Sequence, residues 1–392
     1  MKTTFEKSRL AVAFVFFCPG LAYGLFTSRL PAIKLQSGID EGEIGLALLV
    51  LGACCFFSLM LLPRFLSRFP ARAVVLMSLL GTGLGLLLAS SSSSLHELVA
   101  GTAVTGLSIG LCDGAMNVMG SGLERTSKRS VMSYFHAFYS LGAVAASILC
   151  YVLAGAGIGA FENAALGAAG GAMLILFSAR HLPAGEGRSA KTSESGNKLP
   201  DNGKMPLMLL VLGVMTTCAY ASEGAVGEWG ALLLTEKGAS EQHAALVYGS
   251  FSVAVTAVRL VVDKLRMSLK DQHIVAFGML AAAVGLALGI FSQHVAISYV
   301  GFLLAGAGIS PLSPILFSLA GRVPGVSPAK GVSTVALFSY SGLLVFPPFI
   351  GSFARHASVG TALCTVFALL AVTAILSCLL PKGGRGESQP WN

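Results

Sequence analysis

The sequence predicts an all-α membrane protein with twelve transmembrane helices, arranged as two pseudo-symmetric bundles of six. Three observations support this prediction: the composition, the number of long apolar stretches and an internal repeat. Of the 392 residues, 54% are hydrophobic and only 11% are charged, and the mean hydropathy is +0.77. Soluble domains carry about 25% charged residues. The composition therefore excludes a soluble enzyme, a nucleic-acid-binding protein and a disordered protein.

Twelve apolar stretches are long enough to cross a bilayer, for which a helix needs about 20 residues. Gly, Pro and charged clusters separate them. They lie at about 10–29, 43–62, 73–91, 97–120, 131–155, 160–179, 206–234, 242–262, 272–291, 295–320, 331–352 and 358–380. The chain contains 47 Gly residues, and many recur inside these stretches at spacings that let helices approach closely.

The basic residues indicate the orientation. Of the 26 Lys and Arg residues, all but four lie in the terminal segments and in the alternate loops on the same side of the bilayer. The four exceptions are Arg29, Lys34, Lys237 and Arg355. Because Lys and Arg concentrate in cytoplasmic loops, we expect both termini to be cytoplasmic and the chain to lie in a bacterial inner membrane. The net charge of +8 then has a topological origin and indicates no nucleic-acid partner.

A polar segment divides the chain into two halves of six spans each. Residues 181–205 are rich in Gly, Ser, Pro and charge, which predicts a cytoplasmic linker between bundles at 1–180 and 206–392. An offset of 200 residues aligns matching positions in the two halves. They include Gly85 with Gly285, Gly101 with Gly301, Gly106 with Gly306, Ser133 with Ser333, Phe138 with Phe338 and Gly142 with Gly342. Parallel repeats with a substrate site between them are typical of secondary transporters.

Several segments resemble a known family along the whole chain. The basic segments PRFLSRFPAR at 63–72 and VRLVVDKLR at 258–266 resemble the loops between helices two and three and between helices eight and nine of the major facilitator superfamily. The first copy lacks the acidic residue of the family pattern, whereas the second keeps Arg259 and Asp263. The resemblance implies a gating role for these two residues and a central cavity lined by helices one, four, seven and ten.

Four further segments resemble one branch of that superfamily, which contains the bacterial inner-membrane protein YbjJ and the rhizopine-locus protein MosC. They are SRLPAI at 28–33, CDGAMNVMG at 112–120, HAFYSLG at 136–142 and SEGAVGEW at 222–229. The rhizopine-locus resemblance favours a sugar, a polyol or an amino-sugar as the solute.

Ionisable side chains inside a bilayer are costly and usually face a cavity, a partner or an ion path. Asp113 lies in helix four with Asn117 one turn later, so both side chains share a helix face. We expect Asp113 to bind substrate or a proton, and Asn117 to bind substrate. The alternatives are a buried neutral acid for Asp113 and a hydrogen bond in helix packing for Asn117. Ser313, the repeat counterpart of Asp113, is also expected to bind substrate. It lies between two prolines in GAGISPLSP at 306–314, which predicts a break in helix ten beside the cavity.

Helix seven carries Tyr220, Glu223, Glu228 and Trp229. We expect Tyr220 to bind substrate, and Glu223 to bind substrate and carry a proton, because it lies deep in the span. Glu228 is expected either to gate the outer side or to lie on a solvated rim. Trp229 is expected either to stack on a substrate or to anchor the helix at the interface, where Trp is common.

Helices one and five contribute the remaining candidates. His136 and Tyr139 are three residues apart on one helix face, and both can bond to a hydroxylated ligand; a core role for His136 is the alternative. Tyr23 is expected to join the same cavity. Arg29, at the outer end of helix one, is expected either to pair with an acid in a gate or to snorkel to the interface.

The sequence offers no support for an enzyme or a bound cofactor. None of its eight Cys residues forms a C-x-x-C pair, and it contains no G-x-x-x-x-G-K-[ST] loop for ATP. The expected partners are the lipid bilayer, a small-molecule substrate and a coupling ion, most simply H⁺, and we expect a monomer.

The charges expected in the cavity restrict the solute. Because they include no central Lys or Arg, they favour a neutral or cationic solute over an anion. Two alternatives stay open: a proton-coupled exporter of cationic drugs or metabolites, and a membrane sensor or scaffold that does not transport.

Overall fold

The computed structural model is helical throughout the part of the chain that it describes. It describes residues 2–127, 131–183, 205–326 and 328–381, and no β-strand occurs within these ranges. Twelve helices are long and apolar enough to cross a membrane. Inside a bilayer the backbone has no water to bond to, so a helix that satisfies its own N–H and C=O groups is the natural solution. The predicted all-α fold with twelve spans is confirmed.

The first six spans are mostly continuous helices. They are α1 (Lys2–Ser28) with its short continuation α2 (Leu30–Ser37), α3 (Glu41–Arg68), α4 (Ala71–Ser90), α5 (Leu95–Ser127), α6 (Met132–Gly155) and α7 (Ala160–Ala179). Helix α3 begins with a capping box, in which the Asp40 side chain accepts from the backbone N–H of Glu43 and the Glu43 side chain accepts from that of Asp40.

The last six spans contain more interruptions. They are α8 (Leu207–Glu236), α9 with α10 (Glu241–Ala244 and Leu246–Ser268), α11 (Asp271–Phe291), α12 with α13 (Val295–Ile309 and Leu312–Ala320), α14 (Pro328–His356), and α15 with α16 (Val359–Leu363 and Val366–Ser377). The break between α12 and α13 falls at Ser310 and Pro311, as the Pro-rich segment predicted.

Helices α3, α5 and α10 continue beyond the ends of the predicted apolar stretches. They do so on the side of the molecule where the two chain termini lie, which is called the terminal side below. They end at Arg68, Ser127 and Ser268, and the extra turns carry basic side chains, whose long stems let the charge reach water. Arg259 lies well inside α10 and within the apolar stretch at 242–262, although it belongs to the basic segment that resembles a loop. The interpretation of Arg259 as a residue of the loop between the eighth and ninth spans is therefore wrong.

The repeat of 200 residues reappears in the way the helices cross. A Cβ built on Gly106 would lie within 3.0 Å of the Leu51 carbonyl oxygen, and one on Gly306 would lie equally close to the Phe251 carbonyl oxygen. The contact partners, Leu51 and Phe251, are themselves 200 residues apart. Equivalent pairs occur for Gly85 and Gly285, and for Gly142 and Gly342. The two halves thus use the same glycines for the same close helix crossings.

The boundaries of the two bundles and the linker stay predictions. Most of the linker, residues 184–204, lies outside the described residues.

We predict that Gly106→Ala and Gly306→Ala destabilise the protein. In both positions the added methyl group meets backbone atoms, which cannot rotate away, and overpacking costs about 1–3 kcal/mol. Gly170→Ala in α7 is the matched control, since a Cβ there meets nothing within 4 Å. Thermal unfolding in detergent measures the effect. The packing argument fails if all three variants unfold at the wild-type temperature.

Candidate functional site

A cluster of polar side chains lies between the two halves, near the middle of the spans. The halves meet where α3 packs against α14 and α6 packs against α10. Close glycine contacts bring them together, as between Gly45 and Pro347 and between Gly249 and Ser147. A hydrogen bond in this cluster that joins the two halves therefore reports on how the halves sit against each other.

Asp113 accepts a hydrogen bond from the opposite half. The Tyr340 hydroxyl on α14 donates to Asp113 Oδ2 at 2.6 Å. Asn117 Nδ2 donates to the Asp113 backbone carbonyl at 2.8 Å and contacts Asp113 Oδ1 at 3.3 Å. The predicted pairing of Asp113 with Asn117 thus exists in the structure, and the amide holds the carboxyl toward the partner half. Tyr340 was not predicted from the sequence.

Glu223 faces a cation that the sequence analysis did not expect at this depth. Arg259 Nη2 on α10 lies 3.6 Å from Glu223 Oε2 on α8. Arg259 Nη1 also donates across the halves to Ser140 Oγ on α6 at 3.4 Å. The expectation that the centre holds no basic residue is therefore wrong. The side chain of Asp263, the other residue of the predicted gating motif, lies outside the described residues.

Glu228 lies farther along α8 than Glu223, toward the side of the molecule opposite the chain termini, which is called the loop side below. It is almost fully buried. The Tyr23 hydroxyl on α1 donates to Glu228 Oε1 at 2.9 Å, which gives a second hydrogen bond between the halves. Only 4% of Glu228 is exposed, so the alternative of a solvated rim is wrong. Its second oxygen, Oε2, has no hydrogen-bond partner among the residues that the structure describes. It lies beside a small pocket between α8 and α14 that includes Gly224 and Pro347.

Aromatic and hydroxyl groups surround these acids. Tyr220 lies beside Ser313 at the start of α13, and Tyr139 has Asp113 and Glu223 as its charged neighbours. His136 packs edge-on against the Phe16 ring, with centroids 5.3 Å apart. Tyr220, Ser313, Tyr139 and His136 are each partly buried, as expected for groups that line a cleft.

Trp229 is not part of this lining. Its side chain is fully buried and packs in the apolar core. Neither predicted alternative, stacking on a substrate or anchoring at the membrane interface, fits this position. The apolar and small residues around it on α8 explain the difference, because that stretch of the helix is enclosed on all sides.

Further contacts between the halves close the loop side of the molecule, opposite the termini. Arg29, at the end of α1, is 4% exposed; its Nη1 lies 3.4 Å from Glu241 Oε2 of the other half, and its Nη2 donates to the Ile158 carbonyl at 2.8 Å. Ser28 Oγ donates to the Ala245 carbonyl at 3.1 Å, and Arg355 pairs with Asp40 at 3.2 Å. Arg29 is thus a contact between the halves and not an end-cap that snorkels to the interface.

The contacts between the halves that the structure describes lie at the centre of the spans and on the loop side. Each described hydrogen bond or ion pair between the halves lies at the level of Asp113 and Arg259 or on the loop side of it. The Glu223 side chain keeps 28% of its surface exposed and Arg259 keeps 18%, whereas Glu228 is buried. The Glu223–Arg259 pair is therefore partly exposed, whereas the cleft is closed on the loop side.

Comparison with known proteins identifies the family. The sequence pattern of the Major Facilitator Superfamily matches residues 12–329, which is most of the chain. The chain belongs to the Major Facilitator Superfamily. It is therefore a multi-pass membrane transporter, as the basic loops and the four short motifs predicted.

Two relatives of this superfamily chain are similar over nearly their full length. Membrane protein MosC of Rhizobium meliloti is 26% identical over 97% of this chain and 92% of its own. An uncharacterized MFS-type transporter of Yersinia pestis is also 26% identical, over 94% of each chain.

Solved structures of the superfamily share the fold. The nucleoside transporter NupG superimposes with a TM-score of 0.72 at 13% identity, covering 95% of this chain and 97% of its own. A D-xylose-proton symporter superimposes with a TM-score of 0.74 at 13% identity, covering 98% and 99%. At these identities the likeness establishes the superfamily fold alone.

We predict that Arg29→Gln loosens the loop side. A partly exposed ion pair contributes up to about 1 kcal/mol, which corresponds to about a five-fold change in an equilibrium. A cysteine introduced by Ser147→Cys lies at the buried contact with Gly249. In the Arg29→Gln variant it should react with a maleimide about five-fold faster than in the protein that keeps Arg29, after the labelling of the native cysteines is subtracted.

Lys34→Gln is the matched control, because Lys34 pairs with Glu41 of its own half. Equal labelling rates in the Arg29 and Lys34 variants would contradict a role for Arg29 in holding the halves together.

Proposed function

We propose that the protein is a proton-coupled secondary transporter of a small hydroxylated solute that resembles a sugar or a polyol. One observation carries the proposal: the carboxyl groups of Asp113, Glu223 and Glu228 lie between the two halves, and Asp113 and Glu228 are each bonded to a tyrosine of the opposite half. Acids in this position can link protonation to the relative placement of the halves, which a proton-driven transporter requires.

The proton-coupling step follows from the hydrogen bonds. The Tyr340 hydroxyl donates to Asp113 Oδ2, and a carboxylate accepts such a bond more strongly than a neutral carboxyl does. Adding a proton to Asp113 therefore weakens one link between the halves. Adding a proton to Glu223 likewise removes the charge that faces Arg259. Both events change the balance between the two arrangements of the halves.

The lining of the cleft supports a solute with several hydroxyl groups. Tyr139, Tyr220, Asn117 and Ser313 offer donors and acceptors of the kind that bind hydroxyls. The similar structures are named as a nucleoside transporter, a D-xylose-proton symporter and a fucose:proton symporter, which supports this class of solute. The restriction to neutral or cationic solutes no longer applies, because Arg259 lies in the centre.

Alternating access would proceed by rocking of the two halves about the central cluster. The arrangement described above, closed on the loop side, is one end state of such a cycle. We further propose that the protein lies in a bacterial inner membrane with both termini in the cytoplasm, as the distribution of Lys and Arg indicates, and that it acts as a monomer.

An exporter of cationic drugs or metabolites is the second candidate. The excess of acids in the centre, Asp113, Glu223 and Glu228 against Arg259, favours it. The comparisons favour a transporter over a sensor or scaffold, because the similar solved structures are transporters.

We predict that Asp113→Asn and Glu223→Gln each abolish accumulation of substrate against its gradient while the protein still folds. Neither amide can take up and release the proton. Glu162→Gln is the matched control, because Glu162 is an exposed carboxyl near the start of α7. Uptake into proteoliposomes with an imposed pH gradient measures accumulation. Normal accumulation by both central variants would refute proton coupling at these residues.

We predict that a thermal-shift screen of the purified protein identifies hydroxylated solutes as ligands, with shifts that differ between about pH 5.5 and 7.5. A ligand that binds only the folded state raises the unfolding temperature. Sugars, polyols and amino-sugars form one arm of the screen and lipophilic cations form the other. Stabilisation confined to the lipophilic cations would replace the proposed function with the exporter.

A further inference from the structure

The guanidinium of Arg259 faces the cleft with most of its hydrogen-bonding capacity uncommitted. An Arg side chain carries five N–H donors in a planar fork that matches a carboxylate. The described contacts of Arg259 are the long hydrogen bond of 3.4 Å to Ser140 and the ion pair of 3.6 Å to Glu223. By contrast, Arg266 on the same helix donates two hydrogen bonds of 2.8 Å to the Asp271 carboxylate. Arg259 therefore has only long contacts to the described protein groups, and its side chain is partly exposed in the cleft.

The charge of Arg259 depends on Glu223 for its compensation. The titratable side chains whose charges interact with this pair are His136 and Tyr139 from α6, Tyr220 from α8 and Tyr248 from α10. None of these is an acid. Asp113, which neighbours Tyr139 and Tyr220, is already bonded to Tyr340 and Asn117. If Glu223 takes up a proton, the cation loses its only direct anionic partner among the described residues.

We infer that the transported solute carries a carboxylate, which binds Arg259 in place of Glu223 when Glu223 is protonated. This inference rests on the proposed function and specifies its substrate: a sugar acid, with one carboxylate and several hydroxyl groups. The hydroxyls bind the surrounding Tyr139, Tyr220 and Ser313 groups. The fork of Arg259 then makes the short paired hydrogen bonds to the carboxylate that it does not make to Glu223.

The charges balance through the cycle. One proton from solution adds to the Glu223 carboxylate, and one carboxylate anion arrives at Arg259, so the net charge of the site does not change. When the solute leaves, Glu223 releases its proton to the same side, and the ion pair with Arg259 forms again. Proton and anion therefore move together, and an uncompensated Arg charge inside the bilayer, which is costly, is avoided at both stages.

The charge count also limits the anion to a single negative charge. No second Lys or Arg contacts the cluster in the part of the chain that the structure describes, and Asp113 and Glu228 lie nearby. A phosphate ester, with two negative charges, would need another cation. A monocarboxylate needs only Arg259.

Matched sugars test the inference directly. D-Glucuronate, D-galacturonate and D-gluconate are compared with D-glucose, D-galactose and D-glucosamine by thermal shift and by calorimetry, at about pH 5.5 and 7.5. The acids stay ionised at both values, so a change with pH reports on the protein. We expect at least one acid to stabilise the protein more than its neutral and amino counterparts, and to bind more tightly at the lower pH. The inference is overturned if no acid stabilises the protein, or if the neutral sugars do so equally.

Variants locate the binding group. Arg259→Gln should weaken binding of the acid by about ten-fold or more, since a charged hydrogen-bonded pair is lost, and Arg259→Lys should retain part of it. Lys264→Gln, an exposed change of the same kind on the same helix, should bind as wild type does. Glu223→Gln, which imitates the protonated acid, should bind the sugar acid equally well at both pH values. Wild-type affinity in Arg259→Gln, or wild-type pH dependence in Glu223→Gln, would contradict the inference.

The same panel separates this inference from the function on which it rests. Binding of the neutral or amino sugars without the acids would remove the role of Arg259 and leave a transporter of hydroxylated solutes. Binding of lipophilic cations alone would remove both.

Discussion

A charge inside the membrane must have a partner of opposite sign close by, and the central cluster is built on this constraint. Arg259 and Glu223 satisfy it for each other at 3.6 Å, and the rest of the cluster adapts to that pair. Ser140 accepts from the cation on one side, and the tyrosines around the pair supply polar groups without further charge. Any event that changes the charge of one partner must be matched by another, and this requirement makes coupled transport physically possible.

The repeat between the two halves holds for the glycines that pack the helices but not for the polar residues of the central cluster. The glycines that set the helix crossings repeat at the same offset in both halves, and so do their contact partners. The polar residues do not: Asp113 corresponds to Ser313, Tyr23 to Glu223 and Ser140 to Tyr340. The scaffold is therefore symmetric at these crossings, because a Cβ at each of these glycines would meet backbone atoms of the neighbouring helix. The centre is asymmetric and holds acids, a cation and hydroxyls that face each other across the two halves.

Much of the scaffold could be predicted from the sequence. Apolar length fixes the number of spans, and the pairing of Asp113 with Asn117 follows from helix geometry within one element. Contacts between the halves could not be predicted in the same way, because periodicity along one helix carries no information about which residue of another helix faces it. Tyr340 was missed for this reason, although the repeat offers a signal, since FSYSG at 338–342 aligns with FYSLG at 138–142.

Arg259 was misplaced for a different reason. A basic residue near the end of an apolar stretch is usually taken as a membrane boundary, whereas the contacts of Arg259 with Glu223 and Ser140 place it in the central cluster. The preference for a neutral or cationic solute depended on placing Arg259 outside the centre. Trp229 was also misplaced from its residue type: Trp is common at membrane interfaces, but this side chain lies in the apolar core.

The two tyrosine–carboxyl hydrogen bonds run in opposite directions between the halves. Tyr23 of the first half binds Glu228 of the second, and Tyr340 of the second half binds Asp113 of the first. The two bonds also lie at different distances from a pivot at the central cluster. In a rigid rotation that opens the loop side, the atoms farther from the pivot travel farther, so the bond of Tyr23 to Glu228 separates before that of Tyr340 to Asp113. In the rocking motion proposed above, this difference would part the bond of Tyr23 to Glu228 first and uncover the Asp113 carboxyl second.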